Sequence, residues 1–180
     1  MDFVQPIRDK GKLEEMKNEL SRNGQRDYLL FVVGINTGLR VSDVLSLKVK
    51  DVRNKTHICI REQKTNKERR FLINSQLEQA IGKYISNLDS EQYLFASRGS
   101  NKPITRIQAY RILSHAADMI GLESIGTHTM RKTFGYWHYK TYKDVAILQS
   151  LFNHSSPSVT LRYIGINDDI KDETIKDFYL

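Results

Sequence analysis

Six residues spread along the chain, Arg40, Lys64, His128, Arg131, His154 and Tyr163, are of types that together can break a phosphodiester bond without a metal ion. Two guanidiniums can neutralise a phosphate. Two imidazoles and an ammonium can move protons or donate hydrogen bonds to it. A phenol can attack phosphorus once its proton is removed. Each residue alone also fits an ordinary role: a surface Arg–Asp pair, a solvated helix face, a half-buried tyrosine, or a lysine at a hairpin tip.

Local sequence says more about how such groups could meet. Arg40 lies in Thr37-Gly38-Leu39-Arg40-Val41-Ser42-Asp43, between the end of one predicted helix and the start of the next. A guanidinium there stands beside a helix N-terminus, which attracts anions, and Asp43 can orient it by a bidentate pair. His128 and Arg131, three positions apart, share one helix face behind a predicted N-cap at Thr127. His154 and Tyr163 would point about 180° apart on one continuous helix, at about 100° per residue. Ser156-Pro157, an N-cap followed by proline at the first helical position, restarts the helix between them. Both side chains can then reach one site.

The elements that must hold these groups are mostly helical. Apolar periodicity predicts helices over residues 10–21, broken by Asn23-Gly24, and 25–36, closed by Gly38, with a short helix capped by Ser42. The period then changes. Residues 56–61 and 69–73 alternate as strands of a hairpin whose polar tip carries Lys64, and 49–52 is expected to add a short third strand. Further helices are predicted over 75–87, 105–120, 130–140, 143–152, 157–164 and 168–178. The expected fold class is mainly α with a small antiparallel β-sheet (α+β), in one domain spanning residues 1–180 with a tail helix at about 168–180.

Composition narrows the partners. The 28 Lys and Arg against 21 Asp and Glu leave a formal charge of +7, which favours a polyanion. No apolar run reaches membrane length and the first residues are charged, so neither a membrane partner nor export is expected. The single cysteine, Cys59, cannot form an internal disulfide, which suits a cytoplasmic protein.

The segments Thr37–Asp43, His128–Phe134 and Leu151–Tyr163, with a hairpin lysine between the first two, resemble the tyrosine recombinase (phage integrase) family from about Gln25 to Gly165. The catalytic order Arg, Lys, His-x-x-Arg, His, Tyr is complete. Three positions depart from the family pattern: Lys132 for histidine, Asn153 for glycine and Asp43 for glutamate. Asn153 would take the left-handed backbone that asparagine tolerates.

The resemblance implies a site-specific DNA recombinase for integration, excision or inversion, working through a 3′-phosphotyrosyl intermediate with no cofactor and no metal. It assigns Tyr163 as nucleophile, Arg40 and Arg131 as the phosphate clamp, His128 as base, Lys64 as general acid and His154 as a phosphate donor. It points to double-stranded DNA as partner, with Lys102, Arg106, Gln108 and Arg111 as contacts. It implies a homodimer or homotetramer on DNA joined through the tail, and the N-terminal helical domain common in the family is expected to be absent. An accessory DNA-binding protein without turnover and a type IB topoisomerase are the competing readings.

Overall fold

The Asp9 carboxylate accepts a hydrogen bond from the Lys12 amide and opens α1, Lys10–Asn23. Gly24 ends it, and α2, Gln25–Thr37, begins at once. In the computed structural model, which describes residues 4–62, 66–166 and 175–179, α2 is the central element. Its Leu29, Leu30, Phe31 and Val33 are almost wholly removed from water. It packs on α1, on α4 (Ser75–Ile85) and on α6 (Thr129–Tyr142).

Between α2 and α4 lie the short α3, Val41–Ser46, and the hairpin of β1, His57–Arg61, and β2, Glu68–Leu72. The strands pair antiparallel, with Cys59 opposite Arg70. Beyond α4 come α5, Arg106–Met119, then α6, α7 (Val145–Phe152) and α8 (Pro157–Tyr163). The mainly helical fold with a small antiparallel sheet is the one expected from the sequence. Among the described residues, no helix is long and apolar enough to cross a membrane. The predicted tail helix falls mostly outside the described residues; Ile175, Phe178 and Tyr179 are exposed.

Three local expectations are corrected. The segment 49–52 is not a third strand: Val49–Asp51 winds into a single 3₁₀ turn, because the Asp51 carboxylate accepts from the Lys48 amide at 2.8 Å. Beside it Lys48 forms an isolated bridge to Tyr93, and the Val49 and Lys50 amides donate to the carbonyls of Gln92 and Ser90. Ser42 does not cap α3; Arg40 occupies that position in extended conformation, and its carbonyl accepts from the amides of Asp43 and Val44. The cap position of α6 is His128, not Thr127. There the chain turns through Gly126, whose amide donates to Thr129 Oγ1 at 3.0 Å.

Two apolar clusters form. The larger unites α1 to α5 and the hairpin and takes in Met130 of α6. The smaller holds Leu148, Phe152, Ile164 and Ile166, with Phe134, Tyr136 and Tyr163 against it. Helix α6 spans the seam. Gly135 makes this possible, because any side chain there would overlap Phe152 and Ile164. The N-terminal segment straps the same helix: the Ile7 amide donates to Thr133 Oγ1 and Trp137 Nε1 donates to the Ile7 carbonyl, both at 2.9 Å.

Candidate active site

Gly38 closes α2 with φ 63° and ψ 19°, a left-handed turn in which a side chain would also overlap the Phe134 ring. The turn sends Leu39 into the core and delivers Arg40 to the start of α3. Arg131 arrives from the first turn of α6. It is 3% exposed and donates through Nη1 to the Gly38 carbonyl and through Nη2 to the Phe152 carbonyl at 3.0 Å. Its guanidinium lies 4.3 Å from the Phe152 ring centroid. Both backbone bonds use the fixed geometry of the fork, so the second predicted arginine is locked from two sides.

Arg40 finds its carboxylate in Glu62, with Nη1 2.8 Å from Oε1, rather than in the expected pairing with Asp43. Asp43 is 1% exposed, one turn into α3. Glu62 is equally buried and also lies 3.9 Å from Arg69 Nε of β2. Arg69 in turn donates through Nη2 to the carbonyls of Ser150 and Leu151, at the end of α7.

That helix end carries His154. Asn153 takes the left-handed conformation foreseen for it, φ 53° and ψ 46°, and Lys67 Nζ donates to its side-chain oxygen at 3.1 Å. Ser156 then caps α8 by accepting from the Val159 amide, with Pro157 in the first turn, so the helix restarts as the sequence requires. His154 and Tyr163 consequently meet at a centroid distance of 5.0 Å. His154 Nδ1 lies 3.0 Å from Thr160 Oγ1, a fully buried hydroxyl.

Tyr163 is the point where the groups converge. Its hydroxyl lies 3.3 Å from His128 Nδ1, its ring stands edge-on to those of Phe152 and His154, and Lys132 Nζ is 5.3 Å from its centroid. Lys132, where the family often has histidine, donates to the Val4 carbonyl at 2.7 Å.

Electrostatics follow from this burial. Desolvation pushes the Tyr163 phenol above its ordinary pKa, against the charge and hydrogen bond of Arg131 and the charge of Arg40. His154 is held down to about 4, first by burial and then by Arg131 and Arg40, so it is neutral at physiological pH. Burial also works against the charge of Arg131, partly offset by Tyr163 and Glu62.

A cleft of about 430 Å³ is lined by Arg40, Val41, Ser42, Arg106, Thr127, His128 and Arg131. The structure thus brings together five of the six predicted groups; Lys64 lies outside the described residues. Of the predicted DNA contacts, Arg106 lines the cleft, whereas Lys102, Gln108 and Arg111 are exposed without lining it. Gln108 commits its carbonyl to the Thr105 amide in a capping box at the start of α5. Sequence reasoning missed Glu62, Arg69 and Thr160. Their partners are set by how the hairpin packs on α3 and α7 and by the restart of α8. Among the described residues, no cluster of His, Cys, Asp or Glu could hold a metal ion.

The sequence profile of the phage integrase family matches residues 9–169. The probable integrase/recombinase YoeC of Bacillus subtilis (strain 168) is 53% identical over 178 residues, covering 99% of this chain and 98% of that protein. A tyrosine recombinase of Pseudothermotoga lettingae is 31% identical over 161 residues, covering 87% of this chain but 55% of the longer relative. In fold, the chain superimposes on the crystal structure of XerA recombinase with a TM-score of 0.78 at 21% identity, over 97% of this chain and 65% of that one. The XerH recombinase in its post-cleavage complex with palindromic difH substrate gives a TM-score of 0.73 at 18% identity, over 97% and 53%.

This chain belongs to the phage integrase family, the tyrosine recombinases, enzymes that cleave and rejoin DNA through a tyrosine.

Proposed function

We propose that Tyr163 attacks the scissile phosphorus of duplex DNA, forming a 3′-phosphotyrosyl link as the bond to the 5′-oxygen breaks. The phenol proton passes to His128, and the departing 5′-oxygen takes a proton from Lys64, leaving a free hydroxyl. Arg40 and Arg131 hold the nonbridging oxygens, where negative charge grows in the transition state. Neutral His154 donates a further hydrogen bond to the phosphate. The linkage conserves the energy of the broken bond, so rejoining is the reverse attack by a 5′-hydroxyl and needs no nucleotide. The observation that carries this reading is the placement of His128 Nδ1 3.3 Å from the Tyr163 hydroxyl, beside a buried guanidinium.

Arg106, Lys102, Gln108 and Arg111 contact the DNA in this scheme, and the exposed Ile175, Phe178 and Tyr179 join subunits into a dimer or tetramer on it. The reaction takes place in the cytoplasm and serves integration, excision or inversion of a DNA element.

The test uses suicide duplexes nicked near the cleavage point, drawn from sequences flanking the gene, in buffer with chelator and no nucleotide. A denaturing gel should show a protein–DNA adduct in the wild type and none in Tyr163→Phe. An adduct that survives Tyr163→Phe, or that requires metal, would overturn the assignment.

A further inference from the structure

We propose that Glu62 is a positioning residue of the active site. Its carboxylate, buried between Arg40 and Arg69, fixes the guanidinium of Arg40 and fastens the hairpin to the turn that carries His154. The inference rests on the reading of Arg40 as a phosphate-binding group and adds to it the residue that sets its orientation.

Burial gives the first argument. Glu62 is 1% exposed, and an isolated carboxylate in that environment would be strongly disfavoured. It is retained beside two cations, at 2.8 Å from Arg40 Nη1 and 3.9 Å from Arg69 Nε. The pair with Arg40 is a close ion pair at one guanidinium nitrogen, Nη1, and it turns a swinging cation into a held one. Removing one partner of such a pair is costly, because the other charge stays buried.

Charge gives the second. Arg40, Arg69 and Arg131 are close enough that each of the other two lowers the proton affinity of Arg131. The Glu62 carboxylate offsets part of the positive charge that these three guanidiniums bring together. Three arginines alone would repel one another in the DNA-free enzyme, and Arg40, the more exposed of the two clamp residues, would move first.

Connectivity gives the third. The Glu62 amide donates to the Lys67 carbonyl, and its own carbonyl accepts from the Asn66 amide, so Glu62 closes the base of the hairpin tip. Arg69 carries the same network to the carbonyls of Ser150 and Leu151, while Arg131 takes that of Phe152. The last turn of α7 is therefore held by two guanidiniums, one of them steadied by Glu62. A shift of the carboxylate would be felt at Arg40, in the hairpin and at the His154 turn together.

The experiment compares wild type with Glu62→Gln, which keeps shape and an acceptor but loses charge, and with Glu62→Asp, which keeps charge on a shorter stem. Single-turnover cleavage of a suicide duplex is measured at saturating DNA, together with DNA affinity and the final adduct yield. Nitrogen-detected NMR of the DNA-free protein reports hindered rotation of the Arg40 guanidinium. Glu62→Gln is expected to slow cleavage about 10- to 100-fold, the range for removing an outer partner of a working ligand. Affinity and final yield should stay near wild type, the Arg40 signals should lose their hindered splitting, and Glu62→Asp should recover part of the rate.

An unchanged rate, or a slow rate with Arg40 still hindered, would overturn the proposal. A merely structural role would instead lower the final yield without changing the rate of the active fraction. If Glu62→Gln fails to fold, Arg69→Gln is read by the same criteria, with partial slowing expected. If wild type forms no adduct, the recombination chemistry fails separately, and loss or retention of the hindered Arg40 signals decides the positioning claim alone.

Discussion

His128 Nδ1 and the Tyr163 hydroxyl stand 3.3 Å apart, the two rings edge to face at 82°. The imidazole is exposed while the phenol is half-buried, so the proposed base and nucleophile meet where the core opens to the cleft. Burial raises the phenol pKa more than Arg131 and Arg40 lower it, so the resting nucleophile is protonated and needs a base. His128→Ala should therefore slow adduct formation about 10²- to 10⁴-fold near neutral pH, the usual range for a lost general base. In that variant the rate should climb about tenfold per pH unit toward the raised phenol pKa, because only pre-formed phenolate reacts. Quench-flow measurement of the adduct over pH 6–9 decides it; parallel pH profiles in the two proteins would remove His128 from the role.

His154, held down to about 4, should show no titration above pH 5 when its ring proton is followed by NMR. Its folded pKa lies below the ordinary value of about 6.5, so the unfolded chain binds the extra proton more readily between those two values. The His154 contribution to stability is complete above about pH 6.5 and is lost as pH falls toward 4. To donate to a phosphate, the neutral ring must carry its proton on Nε2, and the Thr160 hydroxyl must then give its single proton to Nδ1 at 3.0 Å rather than to the Ser156 carbonyl at 3.3 Å. Thr160→Val should free the tautomer and slow cleavage, while Thr160→Ser should retain most of the rate. Equal rates in the two variants would rule out that tautomer control.

What the sequence disclosed and what it hid divide along physical lines. The restart at Ser156-Pro157 was legible because an N-cap and a proline act within one turn, and the left-handed Asn153 because few residues accept that backbone. The pairing of Arg40 was not. Asp43 is near in sequence, but Glu62, brought over by the hairpin, meets the guanidinium. Chain distance favoured one carboxylate and packing supplied the other. Thr160 was hidden for the same reason: its value lies in the bond to His154, which exists only once α8 has restarted. The turn at Val49–Asp51 lies in a segment whose apolar ends, Val49 and Val52, are three positions apart, a spacing that suits a 3₁₀ turn rather than a strand, and the side-chain bond from the Lys48 amide to Asp51 winds it that way.

Arg131 does two jobs with one fork, holding the carbonyls of Gly38 and Phe152 while charging the site. Lysine keeps the charge and cannot span both carbonyls. Arg131→Lys should lower the cleavage rate about 10²- to 10³-fold, as for loss of a transition-state donor. It should also lower the melting temperature, because α2 and α7 lose a shared tie. Quench-flow and thermal unfolding on the same preparation separate the two effects. Wild-type cleavage in Arg131→Lys would mean that the guanidinium serves the fold alone.

Asn153 joins the end of α7 to His154, so its backbone sets where that imidazole starts. At φ 53° a β-branched residue is strained, and Asn153→Val should cost about 1–2 kcal/mol of stability and slow cleavage with it. Asn153→Gly accepts the same backbone freely but gives up the bond from Lys67 Nζ. Its stability should stay within about 1 kcal/mol of wild type, the net worth of one exposed hydrogen bond. The two variants separate backbone from side chain, since valine and glycine lose the same amide but only valine strains the turn. Chemical denaturation with parallel adduct assays is the measurement. If valine proves as stable and as active as glycine, the left-handed turn is not what places His154, and its position must come from the Thr160 and Gln149 bonds instead.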